Sequence, residues 1–63
     1  MTIELNGEAV EVGQGATVAS LIETGTTGVA VAVDGEVVPK SKWGLTPLRD
    51  GQRVEVVGAI QGG

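Results

Sequence analysis

The sequence predicts an α+β domain, a mixed sheet of four to five strands with one short helix across one face. Three observations predict it. Aliphatic side chains supply nearly all the apolar content, with eleven Val, three Ile and four Leu; Val and Ile are stiff at Cβ and suit a pleated surface better than a helix. Two tight-turn dipeptides, Asn6-Gly7 and Asp34-Gly35, sit between runs rich in apolar residues. One segment, around Val18, Leu21 and Ile22, carries apolar residues at helical spacing.

Taken in order, Thr2-Ile3-Glu4-Leu5-Asn6 alternates polar and apolar, the pattern of a half-buried strand. Alternation resumes in Glu8-Ala9-Val10-Glu11-Val12 with Val10 and Val12 inward, so the first dozen residues form a hairpin. Gly13 to Ala16 is a loop, and Thr17 is placed to cap a short helix running roughly from Thr17 to Thr24, with Gly25 suited to its stop. So short a helix needs a sheet to pack on.

Val29-Ala30-Val31-Ala32-Val33 is apolar on both faces, as expected of a strand interior to a sheet or covered on its second face. Asp34-Gly35 turns the chain into a brief return strand, Glu36-Val37-Val38, which Pro39 ends for want of an N–H. Lys40 to Leu48 reads as irregular, with Trp43, Leu45 and Leu48 covering the end of the core. Arg49 to Gln52 is a turn, and Arg53 to Val57 is the last strand. With so few residues, the helix must return the chain across one sheet face so that the closing strand pairs inside the sheet beside the first. That arrangement is a β-grasp roll. Residues 1–58 form this domain, and 59–63 form a flexible C-terminal tail ending in two glycines.

Composition excludes several classes of function. The sequence has no Cys and no His, which removes Cys–His and Ser–His–Asp catalysis and ordinary zinc or iron–sulfur sites, so no metal site and no catalytic residue is expected. The carboxylates fall at turns or on outward strand faces, where solvation explains them better than acid–base work. Gly13-Gln14-Gly15-Ala16-Thr17-Val18 opens like a dinucleotide fingerprint, but Val18 replaces the third glycine and the chain cannot house the domain that motif needs. Asp34-Gly35-Glu36 is short of oxygen ligands for a calcium loop, and a hairpin turn accounts for it.

A net charge of −4 with four Lys and Arg argues against nucleic acid and anionic membranes. It serves solubility or attracts a basic protein partner. The N-terminus lacks a signal-peptide pattern, and no apolar run approaches a membrane span, so a cytoplasmic location is expected.

What remains is the end of the chain, Gly62-Gly63. A terminal pair of glycines can simply be a frayed end. It also meets a chemical need: a carboxylate that has to be activated deep in a partner's site, beside a nucleotide phosphate, must arrive on a stem without obstructing side chains. On that reading the reactive group is the main-chain carboxylate of Gly63, and no catalytic side chain is required.

The stretch Val31 to Trp43, the turn Leu48-Arg49-Asp50-Gly51-Gln52 into Arg53-Val54-Glu55-Val56, and the tail Ala59-Ile60-Gln61-Gly62-Gly63 together resemble the ubiquitin-like ThiS sulfur carriers of thiamine biosynthesis, within the MoaD/ThiS family. The resemblance covers essentially the whole chain. It implies a protein co-substrate, not an enzyme. A ThiF-like adenylating enzyme would activate the Gly63 carboxylate with ATP and magnesium, both held by that partner and neither by this chain. A persulfide donor would supply sulfur for a thiocarboxylate, and thiazole synthase, ThiG, would receive it. Gly62 would keep the stem slim, while Ile60 and Gln61 would lie in the partner's channel.

Carriers for molybdopterin synthase, cysteine synthesis or tRNA thiolation share the fold and the ending, as would a ubiquitin-like protein modifier. A plain β-grasp binding module with incidental glycines is the reading of another class. Trp43, Leu45 and Val57 either form an apolar docking patch near the tail or close the small core.

Overall fold

The computed structural model describes residues 1–22 and 27–58. Five strands build one mixed sheet: β1 (Thr2–Leu5), β2 (Glu8–Glu11), β3 (Val29–Val33), β4 (Glu36–Val38) and β5 (Arg53–Gly58), in the order β2-β1-β5-β3-β4. The first hairpin pairs Ile3 with Val10, and the second pairs Val31 with Val38. Both turn where expected, because Asn6-Gly7 (φ 51° and 86°) and Asp34-Gly35 (φ 50° and 87°) place two successive residues in the left-handed region, as the right-handed twist of a hairpin requires. The last strand lies inside the sheet, parallel to β1 through Leu5 and Val54 and antiparallel to β3 over five register pairs from Val29–Gly58 to Val33–Val54.

The strands bury one face. Ile3, Val31, Val33 and Val54 point inward, and Val18, Trp43 and Leu48 cover them; Val18 and Val54 have no exposed surface. Val10 and Val12 lie inward as expected, half-buried against this core.

The cover differs from the expected helix. It is two 3-10 helices, Val18–Leu21 and Lys40–Leu45. In the first, the Ser20 N–H donates to Thr17 C=O at 2.9 Å and the Thr17 N–H donates to Ser20 Oγ at 3.1 Å. The chain is extended again at Ile22, and the remainder of the expected helix, Glu23 and Thr24, with its stop at Gly25, lies outside the described residues.

The reason for so short a turn is lateral. The Val18 N–H donates to Thr46 C=O at 3.0 Å and the Leu48 N–H to Ala16 C=O at 2.9 Å, so the segment entering the turn is paired in β fashion with the segment leaving the second helix. One tight turn then suffices to bury Val18, and 3-10 runs of this length are ordinary.

The stretch read as irregular after Pro39 holds the second 3-10 helix. Pro39 precedes it with φ −62°, and its carbonyl accepts the Lys42 N–H at 2.8 Å. Trp43 closes the core beside β4, its indole N–H donating to Val38 C=O at 2.9 Å. Leu48 also closes the core; Leu45 does not, standing 75% exposed. The expectation for Leu45 is corrected by the helix itself, which turns position 43 inward and position 45 out.

Val54 sits between β1 and β3 with no exposed surface, so Val54→Ala leaves a cavity flanked on both sides. The expected loss is about 2 kcal/mol of unfolding free energy, a large share of a small domain's stability, seen as a lower denaturant midpoint. Val37→Ala, at a site 73% exposed, is expected to stay within about 0.5 kcal/mol.

Candidate functional site

The C-terminal end, expected from the sequence to carry the working group, is approached from its root, the strand that leads to it. Gly62, Gly63, Ile60 and Gln61 lie outside the described residues. They follow β5, whose last residues are Val56, Val57 and Gly58.

The root is held on both edges. Along β3, Val57 is opposite Ala30 and Gly58 is opposite Val29. On the other edge β1 stops at Leu5, and the Asn6 side chain meets Val56: Oδ1 accepts the Val56 N–H at 2.8 Å and Nδ2 donates to Val56 C=O at 3.2 Å. The start of β5 is held similarly by the other turn, where Asp34 donates its N–H to Arg53 C=O at 2.8 Å and accepts the Arg53 N–H on Oδ1 at 3.1 Å.

Alternation assigns the outer face of the sheet. Val54 and Val56 turn to the core, so Arg53, Glu55 and Val57 turn outward. The same parity on β3 and β4 puts Ala30, Ala32 and Val37 outward. Register places Val57 opposite Ala30, and Ala32 opposite Val37 on one side and Glu55 on the other. The result is a strip of small and medium apolar side chains running from the root of the tail to the β4 edge. Val37 and Val57 are 73% and 58% exposed.

The second face of β3, expected to be either interior to the sheet in register or covered, is thus flanked by strands but left open: Ala30 is exposed and Ala32 half-buried. Beyond the strip the face is charged, with Glu4 and Glu55 near Arg53 and Glu11 further out on β2; Arg53 Nε lies 3.5 Å from Glu4 Oε2 in an exposed pair.

Trp43, Leu45 and Val57 do not form one patch. Trp43 is a core residue at 7% exposure, Leu45 belongs to the layer of 3-10 helices, and Val57 projects from the opposite face of the sheet. Val37 and Ala30, which do share a face with Val57, were missed because nothing in a local run says which strands become neighbours; the period-2 alternation around them carried the parity.

A shallow depression of about 440 Å³ on the outer face is lined by Glu4, Asp34, Gly35, Gly51, Arg53 and Glu55. Two of its carboxylates, Glu4 and Asp34, are engaged with the Arg53 side chain and backbone, and among the described residues no group of acidic side chains is arranged to hold a metal ion. No helix among the described residues is long and apolar enough to cross a membrane.

Comparison with known proteins bears on the same chain. The family model described as "ThiS family" matches residues 2–63, a span that takes in the closing glycines. Among solved structures, the crystal structure of the thiamine biosynthesis protein (ThiS) from Geobacter metallireducens superposes with a TM-score of 0.83 at 26% identity, covering 100% of each chain. No curated protein matches the sequence.

Because Val57 projects from an open face, Val57→Lys is expected to leave stability within about 0.5 kcal/mol of the parent. Chemical denaturation checks this, and a larger loss would mean that Val57 supports the core after all.

Proposed function

The chain belongs to the ThiS family, and on that premise we propose that it is a sulfur carrier for thiamine biosynthesis whose working group is the Gly63 carboxylate. The observation that carries the reading is the family match over residues 2–63, which includes Gly62 and Gly63. Composition supports it: without Cys or His the chain is equipped to be a co-substrate, not a catalyst.

The chemistry follows from the poverty of a carboxylate as an acyl donor. A ThiF-like enzyme, supplying ATP and magnesium, would let a Gly63 carboxylate oxygen displace pyrophosphate and form an acyl-adenylate, giving the carbonyl carbon a leaving group. A persulfide donor would then displace AMP, forming an acyl disulfide. Attack by a thiol on its S–S bond would release the thiocarboxylate and leave a disulfide behind. Thiazole synthase, ThiG, is the proposed acceptor, and the proposed compartment is the cytoplasm.

Each part of this chain has a task in that sequence. Gly62 and Gly63 form a stem without side chains to obstruct a nucleotide site, and Ile60 and Gln61 would lie in the approach channel. The outer strip from Val57 to Val37 offers an apolar centre with acidic surroundings, suited to a partner face with an apolar centre and basic rim.

Incubation of the chain with the activating enzyme, ATP and a sulfur donor, followed by intact mass measurement, is expected to show a gain of about 16 Da, sulfur replacing oxygen. Deleting Gly62 and Gly63, or blocking the terminus as an amide, should abolish it. No gain with a demonstrably active partner would overturn the carrier reading, and adducts on lysines of other proteins would point to a modifier instead. Val57→Lys is expected to weaken binding to the activating enzyme while leaving the mass gain on sulfur transfer unchanged.

A further inference from the structure

Asn6 has a second task besides turning the first hairpin. Residues 52 and 54 of the last segment use their carbonyls on the β1 side, accepting the N–H groups of Glu4 and Asn6 at 2.8 and 2.9 Å. Residue 53 faces the other way, its carbonyl accepting the Asp34 N–H. By this alternation the N–H and C=O of Val56 fall on the β1 edge, yet β1 ends at Leu5 and its chain has already turned back.

The Asn6 carboxamide fills the gap, offering one donor and one acceptor to the two groups of Val56 across 50 residues of sequence. A primary amide is suited to this because it carries both kinds of group on one planar end; a carboxylate has no donor. The side chain therefore extends the β1–β5 ladder by one step after the main chain has left it. Two residues later β5 ends at Gly58, and the last five residues follow.

We propose that Asn6 is a positioning residue for the terminal carboxylate: by clamping Val56 from the β1 side, it fixes the place and direction from which the tail leaves the sheet. This rests on the carrier reading above. Without the clamp, the end of β5 is held along one edge by β3 alone, and strand ends so held open readily. A partner must then order the root of the tail as it binds, which weakens productive docking while leaving the bound carboxylate's chemistry as it was.

Two variants separate the clamp from the turn. Asn6→Gly keeps the left-handed backbone without strain and removes the amide. Asn6→Asp keeps an acceptor for the Val56 N–H and removes the donor. Amide hydrogen exchange by NMR, together with KM and kcat for ATP-dependent pyrophosphate release by the activating enzyme, reads both consequences.

In Asn6→Gly the Val56 amide is expected to exchange about tenfold faster while amides of β3 keep the parent's rates. KM for the carrier should rise several-fold at unchanged kcat, and Asn6→Asp should fall between Gly and parent in both measurements. Unchanged Val56 exchange in Asn6→Gly would overturn the clamp. A released Val56 with unchanged KM would overturn the positioning role, as would loss of protection through the whole sheet. A parent chain that is not adenylated at all would sink the carrier reading and the positioning role with it, a result told apart from the others because the parent itself is inert.

Discussion

The fold depends on hydrogen-bonding both edges of β5. This strand comes last in the chain but third in the sheet, between β1 and β3. The two hairpins, β1–β2 and β3–β4, have no strand pairing with each other among the described residues; each reaches the other through β5. A lone hairpin is marginal in water. Val54 shows how the joint works: it pairs with Leu5 on one side and Val33 on the other and is fully buried between them. The turn residues Asn6 and Asp34 then reach in from opposite sides to Val56 and Arg53, so the strand is bound beyond the length of its shorter ladder.

This arrangement suits the proposed role, in which the working group lies at the end of the chain. Residues 59–63 follow the strand that joins the two halves of the sheet, which β3 pairs as far as Gly58 and Asn6 holds at Val56. The layer of 3-10 helices covers one face with Val18, Trp43 and Leu48. The other face has small residues, Ala30 and Ala32, flanked by Val37 and Val57, with carboxylates around them. A domain of 63 residues has little core to spare, and Val37 and Val57 lie outside that core.

Much of the fold was legible along the chain because its signals are local. Alternation in Thr2–Leu5 and Glu8–Val12, and the left-handed tolerance of Asn6-Gly7 and Asp34-Gly35, need no knowledge of the rest of the molecule. The insertion of β5 beside β1 followed from the scarcity of residues for any other return. The helical layer was harder. The spacing of Val18, Leu21 and Ile22 marks a helical turn but not its 3-10 type, and the segment entering that turn is paired with residues 46–48, far apart in sequence.

Leu45 was misread because, in an irregular stretch, hydrophobicity alone does not say which side chain turns inward. The Asn6–Val56 contact left no local sign at all, since Asn before Gly is sufficiently explained by the turn. As for the site, the glycines of the tail could be picked out by type, whereas the face beside their root required knowledge of strand order.

Trp43 is the chain's single aromatic residue. Its ring is packed against the core and its N–H is bonded to the carbonyl of Val38, at the end of an edge strand. All near-ultraviolet emission of the free protein therefore originates at one buried point, on the core side of the sheet and not on its outer face. Such a chromophore reports whether the body is intact. Spectroscopically, unfolding of this domain is read by a single probe built into its core.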